Sequence, residues 1–107
     1  MVTAFQQKVY DKLLEVPAGR VTTYRDLAHS LGINSSQAIG QALKRNPFAP
    51  RVPCHRVVSS NGSIGGYMGA VEGSPIAKKI DLLKKEGINI VDGKVVDFEL
   101  QLFTFRT

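Results

Sequence analysis

One cysteine in 107 residues excludes both an internal disulfide and a multi-cysteine zinc site. A lone thiol suits a reducing compartment. No apolar run approaches the roughly 20 residues that span a bilayer, and no charged, apolar and small-residue leader opens the chain. The length suffices for one domain (1–107) with one modest core, and excludes barrels and dinucleotide-binding sheets. These absences predict a soluble, basic, cytoplasmic protein, nuclear in a nucleated cell, with no membrane association. Acids are also scarce, nine against fourteen Lys and Arg, for a formal charge of +5. Residues 1–53 hold seven bases and three acids; residues 54–107 hold seven and six. No acid lies between Asp26 and Glu72, a stretch that contains Lys44, Arg45, Arg51, Arg56, both histidines and Cys54. A basic middle fits a phosphate-rich partner, and fits equally a solvated surface whose acids lie elsewhere.

Helical spacing accounts for the first half. Thr3 and Gln6 have capping-box spacing, and Val2, Phe5, Val9, Leu13 and Val16 follow one helical face up to a stop at Pro17-Ala18-Gly19. Thr23 with Asp26 offers a second capping box, opening a short helix on Leu27, Ala28 and Leu31 that Gly32 closes. Asn34 or Ser35 caps a third helix through Arg45, with Ala38, Ile39, Ala42 and Leu43 inward. The pair reads as a helix-turn-helix over about 23–45 or as a plain helical hairpin. In the first case Ser36, Gln37, Gln41, Lys44 and Arg45 face outward toward phosphates or bases. Gly40 costs about 1 kcal/mol in a helix interior, which a close backbone approach would justify.

After Pro50 the character changes. Val57-Val58 is a short strand signal, Asn61-Gly62 a hairpin turn, and Gly65, Gly66 and Gly69 set Tyr67 in a loop. Ile76, Ile80 and Leu83 mark a fourth helix ended by Gly87. Residues 88–96 read as a hairpin around Asp92-Gly93. In the tail, Phe98, Leu100 and Leu102 alternate with Asp97, Glu99 and Gln101, predicting a strand over 97–105 with one buried face. The fold class expected is mainly α with small β hairpins, a winged-helix-like helix-turn-helix.

Chemistry concentrates at Pro53-Cys54-His55-Arg56. A thiol attacks only as thiolate, so its pKa must be lowered by positive charge or an adjacent base. Side chains of neighbours in extended backbone point apart, so relay from Cys54 to His55 through water is as reasonable as direct contact. Arg56 adds charge that would favour the thiolate or hold the loop. By spacing alone Cys54 is either a small buried hydrophobe or a nucleophile.

The segment Asn46-Pro47 with Val52-Pro53-Cys54-His55-Arg56-Val57-Val58 resembles the active-site signature of the O6-alkylguanine-DNA alkyltransferases, also called methylated-DNA–protein-cysteine methyltransferases. Phe5 to Val9, Pro17 to Tyr24, Ala38-Ile39-Gly40 with Ala42, Gly65-Gly66-Tyr67 and Leu82 to Gly87 resemble the same catalytic domain in order and spacing. The likeness covers roughly residues 5–90. It implies irreversible, single-turnover transfer of an alkyl group from O6-alkylguanine in double-stranded DNA to Cys54. It further implies minor-groove binding and base flipping, which costs a few kcal/mol and least for a damaged base. His55 would be the base acting through water and Glu86 its orienting partner. Tyr24 would donate a proton to the departing guanine, and Asn46 would brace the active-site loop (about 46–58). Thr23 and Arg56 would join Ser36, Gln37, Gln41, Lys44 and Arg45 at the DNA. Val57, Ser60, Gly66, Tyr67 and Met68 would line the base pocket. No metal or cofactor is expected, because one cysteine and two histidines form no ligand pattern, and a monomer is the simplest state.

Three departures stand out. Gln37 occupies the place of the arginine that fills the gap left by the flipped base, so flipping or affinity should be weaker. Met68 stands where a small hydroxyl residue is usual. The family's common N-terminal domain has no counterpart in these residues, and the segment from about 88 to 105 is extra; strand 97–105 is expected to cover core surface that domain would shield. Three alternatives remain open. The chain could be an alkyltransferase-like protein, from a group that lacks the acceptor cysteine and flags lesions without repairing them. It could be a helix-turn-helix regulator with an incidental thiol, or a thiol hydrolase.

Overall fold

In the computed structural model, which describes residues 1–70 and 72–105, Thr3 and Gln6 close a reciprocal capping box at 2.9 and 3.0 Å. Helix α1 (Ala4–Leu13) follows and buries Val9, Tyr10 and Leu13. It ends a turn before Pro17. Backbone bonds from Glu15 to Lys12 and from Val16 to Leu13 tighten the end and fold Val16 into the core, in place of the continued helix expected up to Pro17.

Strand β1 (Thr22–Thr23) leads into α2 (Tyr24–Ser30), whose N-terminus is capped by the Thr23 hydroxyl accepting from the Asp26 amide at 2.9 Å; among the described residues only this half of the expected capping box forms. Gly32, at φ +73°, turns the chain. Ser35 then caps α3 (Ser36–Lys44), and α2 and α3 form a helix-turn-helix. Helix α3 is fixed from beneath by α1: Tyr10 is fully buried and its hydroxyl donates to the Ala42 carbonyl at 2.7 Å. Ile39, Ala42 and Leu43 face inward, leaving Ser36, Gln37, Gln41, Lys44 and Arg45 exposed.

Residues 54–56 form a single 3-10 turn, followed by β2 (Val57–Val58). The sequence suggested that β2 opens a hairpin through Asn61-Gly62. Instead β2 pairs in parallel with β1, Thr22 opposite Val57 and Thr23 opposite Val58. The Asn61-Gly62 turn is present, closed by the Ser59 amide on the Ser63 carbonyl, but the chain beyond it bonds to the later hairpin through Ser63 and Lys94. The central pair wins because alternation sends Val57 into the main core, with Val9, Leu27 and Ile39. Val58 goes into a second core with Val21, Leu83 and Ile88.

Helix α4 (Ser74–Lys85) ends at Glu86, and the antiparallel pair β3 (Ile90–Val91) and β4 (Lys94–Val95) follows. The tail departs from the expected strand. Phe98–Gln101 form a short helix, α5, and Leu100 is 71% exposed rather than inward. Only then does the chain extend, with Leu102 bridging Val21 in parallel and the Phe103 amide donating to the Val21 carbonyl at 2.7 Å. Phe105 enters the main core, edge-on to Phe103. Gly62 explains the helix: the Phe98 ring lies over it, within 3.4 Å of where a Cβ would be. No helix among the described residues is long and apolar enough to cross a membrane.

Candidate active site

Asn46, at the end of α3, spans the loop that carries Cys54. Its amide donates to the Val52 carbonyl at 3.0 Å, and its carbonyl accepts from the Phe48 amide at 2.9 Å. The side chain is buried, so both bonds fix the loop in a water-poor setting. The 3-10 turn then points Cys54 and His55 to different neighbours. Cys54 is 3% exposed with Sγ 3.8 Å from the Met68 thioether; His55 is 2% exposed and faces Glu86. Among the described residues no hydrogen bond joins the two.

His55 Nε2 lies 2.9 Å from Glu86 Oε2. A carboxylate only accepts, so Nε2 carries the hydrogen and Nδ1 is left with its lone pair. Nδ1 is buried and has no hydrogen-bond partner among the described residues. Burial holds the His55 pKa below its usual value despite the hydrogen bond and charge of Glu86, so the ring is neutral at neutral pH. Burial alone would raise Glu86, but hydrogen bonds from Arg56 and His55 outweigh it and hold the carboxyl below its ordinary range. Burial pushes the Cys54 thiol up, against the opposing pull of the Asn46 amide, the Lys79 charge and the Tyr67 hydroxyl. A thiol so placed needs a base.

Arg56 is withdrawn from the surface, against its expected place at the DNA. Its Nε and one terminal nitrogen grip Glu86 at 2.9 and 2.7 Å, and the other donates to the Val16 carbonyl at 2.7 Å. The guanidinium therefore ties the site to the end of α1. Thr23 is likewise spent as a helix cap and buried, so its side chain does not reach out to DNA. The Val57 side chain is fully buried in the core, and its carbonyl accepts from Lys79, so any part it has in a base pocket is through its backbone. Ser60 lines a cavity of about 290 Å³ that it shares with Thr23, His29 and Phe98, and neither of the cavities beside Met68. Among the described residues Gly40 has no neighbour within 4 Å of an added Cβ, so no packing between them accounts for it.

Lys79 is the residue the sequence reading missed. It is fully buried, and its ammonium donates to the carbonyls of Val57 at 2.8 Å, Gly66 at 2.9 Å and Ile64. Three acceptors match the three donors of an ammonium, while burial pulls the pKa down to about 7. The clamp joins β2 to the glycine loop. Gly66 in turn accepts from the Tyr24 hydroxyl at 3.4 Å, which brings Tyr24 to the same loop. Helical spacing held the signal: residue 79 lies between Ile76 and Leu83 on the apolar stripe of α4, where an unpaired lysine does not belong.

Two cavities flank Tyr67 and Met68. One, of about 460 Å³, is lined by Asn46, Ala49 and Pro75 among others. The second, of about 190 Å³, is lined by Tyr24, Gly40, Lys44 and Gly66 and opens beside the exposed face of α3. Burial, with help from Cys54, pushes the Tyr67 pKa up to about 12, so its hydroxyl stays protonated.

Residues 4–88 match the family described as 6-O-methylguanine DNA methyltransferase, DNA binding domain. The methylated-DNA–protein-cysteine methyltransferase of Candida glabrata is 47% identical over 66 residues, covering 61% of this chain and 32% of that protein. The solved O6-methylguanine-DNA methyltransferase of Pyrococcus kodakaraensis is 46% identical at a TM-score of 0.71, over 81% of this chain and 48% of that one. S. pombe Atl1, solved with damaged DNA containing O6-carboxymethylguanine, is 30% identical at a TM-score of 0.80 and matches over 94% of both chains. The chain spans only part of the length of the curated relatives it matches, from 28% to 52%.

Proposed function

The chain belongs to the 6-O-methylguanine DNA methyltransferase family through that family's DNA-binding domain, and from this we propose that it repairs O6-alkylguanine in duplex DNA by taking the alkyl group onto Cys54. One observation carries the reading: a buried thiol is followed in the chain by a neutral histidine whose Nε2–H is committed to Glu86 and whose Nδ1 lone pair has no partner among the described residues. A pure lesion binder has no need of that chain.

In the step, the Cys54 proton passes through a water to His55 Nδ1, and Glu86 stabilises the resulting imidazolium. The Sγ–carbon bond forms as the carbon–O6 bond breaks, and the electron pair leaves with the guanine. Tyr24 gives the guanine a proton, and the surplus proton on His55 returns to Tyr24 through solvent. The products are an S-alkylcysteine and ordinary guanine, so each molecule reacts once. The exposed row Ser36, Gln37, Gln41, Lys44 and Arg45 on α3 would take the DNA in its minor groove, with the open face at Gly40 admitting the backbone. Each phosphate so neutralised lowers log affinity by about 0.9 per log unit of salt.

Likeness to Atl1 over nearly the whole of both chains favours a second reading, lesion recognition without transfer. The two separate on the DNA product. Transfer predicts that a duplex with one O6-methylguanine regains guanine in an amount equal to the protein added, and that Cys54→Ala abolishes this. Tight lesion binding with the base unchanged would favour the second reading.

A further inference from the structure

We propose that Met68 is a steric gate over Cys54 that ranks O6 substituents by size, favouring methyl over benzyl; the ranking rests on the transfer reading above. The Met68 sulfur lies 3.8 Å from Cys54 Sγ, and the thiol is almost fully covered while Met68 itself is 40% exposed. Cys54 lines neither flanking cavity, whereas Tyr67 and Met68 line both. An electrophile arriving from either side therefore meets the thioether before the thiol.

Backbone geometry sets this position firmly. Tyr67 and Ala70 exchange amide–carbonyl bonds at 2.9 and 3.0 Å, closing a two-residue turn with Met68 at φ +52° and Gly69 at φ +84°. Such a turn needs left-handed backbone at both central positions and favours Asn-Gly or Gly-Gly. A methionine there is conformationally disfavoured, and its side chain is the one that reaches the nucleophile. Its unbranched thioether can withdraw by a rotamer change to clear room for a methyl group. A benzyl group needs the volume that Met68 fills.

Met68→Gly suits the turn and removes the gate. Two measurements judge it. In free protein, iodoacetamide should alkylate Cys54 of the variant at least about tenfold faster than wild type; equal rates overturn the gate. With duplexes bearing O6-methylguanine or O6-benzylguanine, the ratio of benzyl to methyl transfer should rise at least about tenfold in the variant. An unchanged ratio overturns the ranking. Protein that transfers neither group defeats the transfer reading, and the iodoacetamide arm then judges the gate by itself.

Discussion

Glu86→Gln separates the role that the proposed transfer gives the carboxylate from its structural one. Glu86 accepts three bonds, one from His55 and two from Arg56, all between 2.7 and 2.9 Å. Hydrogen bonds to charged groups contribute about 1.5–3 kcal/mol each, and an amide can keep only part of this set. The expected loss of stability is about 2–4 kcal/mol, softened because Arg56 retains the Val16 carbonyl. The chemical effect is larger. If the amide nitrogen faces His55, Nε2 must accept and the hydrogen moves to Nδ1, the atom that should take the Cys54 proton. Losing the general base costs about 10²–10⁴ in rate. The assay is single-turnover transfer from an O6-methylguanine duplex, run well below the variant's melting transition. Arg56→Met is the control: it also breaks bonds to Glu86 but leaves the tautomer intact, so stability falls while the rate stays within about tenfold. A Glu86→Gln protein that reacts as fast as wild type would refute the assignment of Nδ1 as base.

Transfer rate should rise with pH through the His55 pKa, with its half-point below 6.5, because burial lowers that pKa and only the neutral ring accepts a proton; a half-point above 7.5 would contradict this. Lys79 has its folded-state pKa depressed from 10.5 to about 7, so between those values the unfolded chain binds more protons and stability rises with pH. Measured by thermal melts from pH 7 to 9, wild type should therefore gain on Lys79→Met, and a loss would show the ammonium to be the favoured buried form. Deleting residues 97–107 strips Phe105 and the Val21 bridge from the core, at an expected cost of about 2–4 kcal/mol by denaturant titration. Unchanged stability would show that the tail covers nothing of consequence.

Local signals in the sequence located the helices well because caps and periodicity act within a few residues: Thr3 with Gln6, Thr23 with Asp26, and Ser35 all cap where their spacing indicates. Pairing was less legible. Val57-Val58 reads as strand, but its partner lies 35 residues upstream, and a parallel contact leaves no turn signature. The tail shows how a period of two can mislead: Phe98, Leu100 and Leu102 alternate, yet Phe98 settles over Gly62 and a short helix leaves Leu100 in solvent. At the candidate site, Cys54, His55, Glu86, Tyr24 and Asn46 were named from family likeness, whereas composition alone left Cys54 undecided. The charge of Arg56 is visible in sequence and leaves open whether it favours the thiolate, holds the loop or meets DNA; its partners, Glu86 and the Val16 carbonyl, are visible only in the structure and tie it to the loop. Lys79 carries no motif, and only its position on the apolar stripe of α4 marks it as buried.

The most direct test is the mass of the protein after mixing with a duplex that carries one O6-methylguanine. Transfer predicts one added methyl on the peptide containing Cys54, stoichiometric with lesion and absent in Cys54→Ala. An unmodified Cys54 in a protein that nonetheless binds the lesion tightly would contradict alkyl transfer and leave lesion recognition as its function.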